Sequence, residues 1–105
     1  MKDEYLESLL STIKSKKKDD PTLSYTALLH KKGLNEILKK IGEEASETII
    51  AAKSENNGEL IHEIADLWFH CLVLLSQKDL LVDDITNELK NREGTSGIQE
   101  KKNRE

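Results

Sequence analysis

Between Leu34 and Ala52 the apolar residues Leu34, Ile37, Leu38, Ile41, Ala45, Thr48, Ile49 and Ala52 recur at helical spacing. This period predicts an amphipathic helix over about 35–53 whose stripe packs inward. From Glu59 to Gln77 the pattern changes. Leu60, Ile61, Ile64, Ala65, Leu67, Trp68, Phe69, Cys71, Leu72, Val73, Leu74 and Leu75 leave almost no polar side. A helix apolar nearly all round is predicted to be central. The Ser54–Gly58 connection is short, and its Asn57-Gly58 pair suits a left-handed helix end, so the two helices are predicted to be antiparallel neighbours.

The flanking patterns are weaker but of the same kind. Leu6, Leu9, Leu10 and Ile13 form the stripe of a first helix, started by Asp3 and ended by Asp19-Asp20-Pro21. Ser24 is predicted to cap a short helix that Gly33 stops, and Asp83 or Asp84 to cap a fifth helix carrying Val82, Ile85 and Leu89. Residues 91–105 are polar and read as a frayed tail. The expected architecture is all-α: a four- to five-helix bundle in one domain, 1–105, around the antiparallel pair 35–53 and 59–77. One layer of helices hardly covers a helix apolar all round, which predicts a homodimer through that surface.

The polar residues that interrupt the apolar pattern carry the chemistry. Glu59, Glu63, Asp66 and His70 fall on one line of the second helix. Glu43, Glu44 and Glu47 lie on the first, with Glu44 beside the inward stripe. Glu44 and Glu47 are twelve and nine residues before Asn56, and Glu63 and Asp66 are seven and ten after it. Across an antiparallel pair they sit at about the same height and converge if the two faces meet. Four clustered carboxylates repel one another unless a lysine or a metal stands among them. Oxygen-only ligation selects a hard divalent cation, Mg²⁺ or Mn²⁺, over zinc, and such an ion completes its shell with phosphates. The chemistry this suggests is phosphoanhydride hydrolysis. Against it stands the ordinary role of Glu on a solvated helix face, weighty for Glu43, Glu44 and Glu47 but weaker for Glu63 and Asp66 on the apolar helix.

Other positions admit two roles each. Lys40 either forms an i, i+4 pair with Glu44 or reaches a phosphate. Gly42 inside a helix implies a close approach by another backbone or a ligand. His70 reads first as a hydrogen-bonded core histidine. Ser24-Tyr25-Thr26 and the basic His30-Lys31-Lys32 either cap and complement a short helix or contact phosphate and ribose. Arg92 with Thr95-Ser96-Gly97 is either tail or a loop over phosphates.

Composition sharpens this picture only modestly. At 36% hydrophobic and 34% charged, with a net charge of −4, the chain is suited to a compact helical protein and poorly suited to broad nucleic-acid binding. The single Cys71 lies in the most apolar segment and reads as a small core residue, pointing to a reducing compartment. The acidic, amphipathic N-terminus does not resemble a secretory signal, and no apolar run approaches a membrane span, so the expected location is the cytoplasm, with no membrane partner.

The segments Ser24-Tyr25-Thr26, Leu38 to Glu47, Glu63-Ile64-Ala65-Asp66-Leu67 and Arg92 to Gly97 together resemble the phosphoribosyl-ATP pyrophosphohydrolases of histidine biosynthesis. The paired Glu-x-x-Glu and Glu-x-x-Asp are shared with the wider all-α, MazG-like nucleotide pyrophosphohydrolases. The other segments narrow the resemblance to this family. It implies Mg²⁺-dependent hydrolysis of 1-(5-phosphoribosyl)-ATP to phosphoribosyl-AMP and pyrophosphate by a homodimer. Glu44, Glu47, Glu63 and Asp66 would be metal ligands. The catalytic acids would be Glu43, Glu44 and Glu47, with Glu43 the candidate to orient or deprotonate water. Lys40 would contact phosphate, and Ser24, Tyr25, Arg92 and Ser96 would complete the substrate contacts. Two rivals remain: a house-cleaning nucleoside triphosphate pyrophosphohydrolase with the same acids, and a non-catalytic helical dimer whose acids form an ion-pair network.

Overall fold

A computed structural model describes residues 4–93. They form five helices, α1 (Glu4–Ser15), α2 (Tyr25–Lys32), α3 (Leu34–Lys53), α4 (Asn57–Gln77) and α5 (Val82–Arg92), with no strand among the described residues. The most extensive packing is between α3 and α4; α1 lies on α4, α2 bridges α3 and α4, and α5 rests on α1. None of the helices is long and apolar enough to cross a membrane.

The core gathers at one end of the α3–α4 pair. Leu10 and Ile13 of α1, Leu29 of α2, Ile37 near the start of α3, Leu72 and Val73 in the second half of α4 and Val82 of α5 are buried together, with Phe69, Leu74 and Leu75 packed against them. Beyond that cluster the α3–α4 hairpin projects with little cover. Ile61 is 69% and Trp68 57% exposed. The predicted central position of α4 therefore holds only from about Phe69 onward, and there only for the side that carries His70, Leu72, Val73 and Ser76. The predicted stripe of α3 also turns outward near the hairpin tip: Ile37 and Ala51 are buried, whereas Ile49 and Ala52 are exposed. No third helix reaches the tip, so the apolar side chains there have nothing to pack against. Cys71 is likewise exposed and not a core residue, because it shares with Trp68 the uncovered side of α4.

Local signals account for most helix ends. Ser24 Oγ accepts from the Ala27 amide at 3.1 Å and caps α2. Gly33, at φ 93°, ends α2 and admits the sharp change of direction into α3. The α3–α4 turn differs from the expected one. Glu55 takes the left-handed conformation (φ 63°), and Asn57 and Gly58 are already helical. Asn56 makes this arrangement by accepting from the Glu59 amide at 3.1 Å, which starts α4 two residues earlier than expected. At α5 neither Asp83 nor Asp84 is the cap residue. Asp84 lies in the first turn, and its Oδ2 accepts from the Leu81 amide at 2.8 Å. The helix also runs into the segment expected to fray, through Arg92, whose guanidinium pairs with Glu88 one turn back at 3.4 Å. Gly42 has open space where a Cβ would stand and lies on an exposed face, so no neighbouring backbone explains it.

Candidate metal and substrate site

The antiparallel α3–α4 hairpin sets the register of the acids. Ser54 Oγ accepts from the Asn56 amide at 3.3 Å and donates to the Ala51 carbonyl at 2.7 Å, and Asn56 opens α4 directly after Glu55, so only three residues separate the helices. Glu44 and Glu47, one turn apart on α3, then face Glu63 on α4. Ligand oxygens of these three side chains lie within 4.8 Å of one another, and Glu63 also belongs to a second such group with Asp66 and His62. One oxygen of Glu44 and one of Glu63 are shut off from solvent, and neither receives a hydrogen bond from an N–H or hydroxyl group.

The electrostatics record the crowding. A hydrogen bond with Glu47, partial desolvation and the charges of Glu47 and Glu44 push the Glu63 carboxyl up to about 7. Glu44 is raised as well, first by desolvation and then by the charges of Glu47 and Asp66. Carboxylates that hold protons this tightly lack a counter-charge. Lys40 does not supply it. Its Nζ sits 3.4 Å from Glu43, one turn ahead, and not on Glu44 as the i, i+4 spacing suggested. Glu43 therefore pairs with Lys40, belongs to neither group of clustered acids, and raises the Lys40 ammonium above its ordinary value.

Around the acids stand groups from α2. The field at the Tyr25 phenol includes Lys40, Glu44, Glu36 and Asp66, although desolvation is the main cause that raises it. The Tyr25 hydroxyl is 2.9 Å from His70 Nε2. Ser24, Tyr25, Thr26 and Phe69 line a cleft of about 470 Å³ at the head of α2, with Lys16, Asp19, Asp20 and Leu23 on its far wall. A second, smaller cleft of about 210 Å³ opens between Glu47, Ile50 and Ala51 on one side and Glu59 and Glu63 on the other.

The structure thus brings Glu44, Glu47 and Glu63 together and joins Asp66 to them through Glu63, with Lys40 and Tyr25 in electrostatic reach of one another and Tyr25 in reach of Glu44 and Asp66; Glu43 pairs with Lys40. Ser24 lines the α2 cleft while its oxygen caps the helix. Arg92 ends α5, engaged by Glu88, and Ser96 lies outside the described residues. His30 is a structural residue: its Nδ1 lies 2.8 Å from the Thr26 carbonyl and its Nε2 2.8 Å from the buried Ser76 hydroxyl. Sequence reasoning missed His62, whose Nε2 approaches Asp66 Oδ2 at 3.3 Å; the i, i+4 spacing between the two was the available signal.

Comparison with known proteins shows the family. The sequence pattern of the phosphoribosyl-ATP pyrophosphohydrolase family matches residues 6–93. The chain belongs to this family. It is 50% identical over 108 residues to the phosphoribosyl-ATP pyrophosphatase of Hydrogenovibrio crunogenus, covering 99% of this chain and 96% of that one. The enzyme of the same name from Methylococcus capsulatus is 52% identical over 99 residues, 94% of each chain, and that of Vesicomyosocius okutanii 54% identical over 99 residues, 94% of this chain and 91% of the relative. In this family member the matched span contains all four clustered carboxylates, Lys40, Tyr25 and Arg92; Ser96 falls beyond it.

Proposed function

We propose that this chain is a phosphoribosyl-ATP pyrophosphohydrolase, splitting 1-(5-phosphoribosyl)-ATP between its α and β phosphates to give phosphoribosyl-AMP and pyrophosphate, the second step of L-histidine biosynthesis in the cytoplasm. The observation that carries the site assignment is the pair of solvent-shielded oxygens of Glu44 and Glu63 that no N–H or hydroxyl group reaches, within a cluster of carboxylates. An all-oxygen donor set of this kind fits Mg²⁺, with Mn²⁺ as substitute. Glu44, Glu47, Glu63 and Asp66 would hold it. When bound, the ion supplies neutralisation of phosphate charge and a lowered pKa of attacking water.

The chain's own residues do the rest. The four carboxylates, fixed on two packed helices, present a rigid anionic cradle that suits a hard cation and repels a bare polyphosphate. Lys40, paired with Glu43, meets the phosphate charge left outside the cradle. Glu43 is the acid not engaged as a ligand; one turn from Glu47, it takes the proton from the incoming water, while Glu44 and Glu47 would hold the ion that neutralises the phosphate charge. Tyr25 and Ser24 border the cleft for the organic part of the substrate. Two copies of the chain would cover the apolar groove of Leu6, Trp68, Cys71, Leu75, Ile85 and Leu89.

The test is pyrophosphate release from phosphoribosyl-ATP with Mg²⁺, by the parent and by Glu47→Gln and Asp66→Asn. Turnover by the parent that falls at least about a hundredfold in both folded variants is expected. A folded parent that ignores phosphoribosyl-ATP but cleaves other nucleoside triphosphates would replace the substrate and keep the chemistry. Silence on every nucleotide, with no rise in melting temperature on adding Mg²⁺, would leave a non-catalytic helical assembly.

A further inference from the structure

His70 is the buried titratable group that the proposed chemistry leaves unused. It is 5% exposed, on the same line of α4 as Glu63 and Asp66. Its Nδ1 lies 2.8 Å from the backbone carbonyl of Asp66, one turn earlier. A carbonyl only accepts, so Nδ1 carries the proton and Nε2 of the neutral ring is left as an acceptor. The Tyr25 hydroxyl, 2.9 Å away, donates to it. The contact is also steric. The Tyr25 ring meets the His70 ring edge-on at 5.8 Å and stacks on Phe69 at 6.4 Å, while Phe69 and His70 meet edge-on at 5.4 Å. Tyr25 itself is 48% exposed at the mouth of the α2 cleft, so its own surroundings leave the ring only partly confined.

We infer that His70 is a positioning residue for substrate binding: by accepting from Tyr25 while donating to the Asp66 carbonyl, it locks the phenol ring at the border between the organic cleft and the carboxylate cradle. The assignment rests on the proposed activity. His30 provides an internal comparison. It makes the same pair of bonds in the opposite direction, from α2 to Ser76 of α4, and borders neither the cleft nor the acids. Both imidazoles fasten α2 to α4, but only one of them ends on a residue facing the site.

The experiment compares steady-state kinetics and melting temperatures of the parent with Tyr25→Phe, His70→Asn, His70→Gln, the double variant Tyr25→Phe/His70→Asn, and His30→Gln. Asn reaches the Asp66 carbonyl as Nδ1 does but falls short of Tyr25; Gln extends an amide oxygen to where Nε2 accepts. His70→Asn and Tyr25→Phe are each expected to raise KM roughly three- to tenfold with kcat nearly unchanged, the loss of one neutral hydrogen bond's worth of ordering. The double variant should be no worse than either single one, His70→Gln should recover most of the loss, and His30→Gln should lower the melting temperature without moving KM. Equal KM values for His70→Asn and the parent, or KM effects that multiply in the double variant, would overturn the assignment while the activity stands. Failure of the parent to turn over phosphoribosyl-ATP would overturn the activity, and this role with it. Should the buried His70 variants not fold, an unchanged KM in Tyr25→Phe, which acts on a half-exposed phenol, would still overturn the assignment.

Discussion

Without a cation the acid cluster should work against the fold, and the effect has a defined pH window. Glu63 titrates near 4.5 as an ordinary carboxyl but is pushed up to about 7 in the folded chain, chiefly by its hydrogen bond with Glu47. A raised carboxyl means that the folded protein binds this proton more tightly than the unfolded one. Its contribution to stability is complete below about pH 4.5 and is lost as pH rises through about 7. Replacing Glu47 by Gln removes the largest cause and one of the neighbouring charges, and the new amide N–H favours the ionised form of Glu63. The Glu63 titration should then fall back well below 7, toward 4.5, with Glu44 the remaining charge that holds it up. Two assays read this in protein treated with a chelator: the carboxyl ¹³C shift of Glu63 against pH, and the melting temperature of parent and variant at pH 5 and pH 8. The variant should gain on the parent between those two pH values, and Mg²⁺ should restore the parent at pH 8 but help the variant far less. The difference between the two proteins isolates the pair from every other titrating group. A Glu63 midpoint near 4.5 in the parent, or a variant that gains nothing at pH 8, would refute the crowding on which the site assignment depends.

Other outcomes follow from packing and capping. Ile37 is fully buried in the core cluster, so Ile37→Ala should cost about 2–5 kcal/mol, read as a fall in urea midpoint at unchanged slope. Asn56→Ala deprives the Glu59 amide of its 3.1 Å acceptor and should cost about 1 kcal/mol in the same assay. Gly42→Ala meets open space within a helix and should gain about 0.5–1 kcal/mol, a rise of a few degrees in melting temperature; a loss instead would reveal a close approach formed only in an assembly.

Much of this protein is legible in its sequence. The change from a one-sided stripe over 35–53 to a nearly all-apolar run over 59–77, joined by a short turn, was enough to pair the two helices and bring Glu44, Glu47, Glu63 and Asp66 to one level. The cap at Ser24 and the stop at Gly33 were legible because a hydroxyl before a helix and a glycine after it act on neighbours in the chain. The turn at 54–56 was read less well. Asn-Gly is a strong local signal for a left-handed residue, but the side chain of Asn56 did better by capping α4, and Glu55 took the strained conformation in its place.

What depended on long-range partners was not legible. Lys40 chose Glu43 over Glu44, and Cys71 and Ile49 are exposed because no helix covers the side of α4 or the tip of α3 on which they lie. The clasp between Tyr25 and His70 joins residues 45 positions apart. By itself the sequence determined the helices, their antiparallel pairing and the family, since period, caps and motif spacing are properties of a few adjacent turns. Tertiary structure alone decided which acids crowd one another, which cation partners which anion and which apolar residues remain bare, because those depend on distances and solvent access that arise only when helices far apart in the chain pack together.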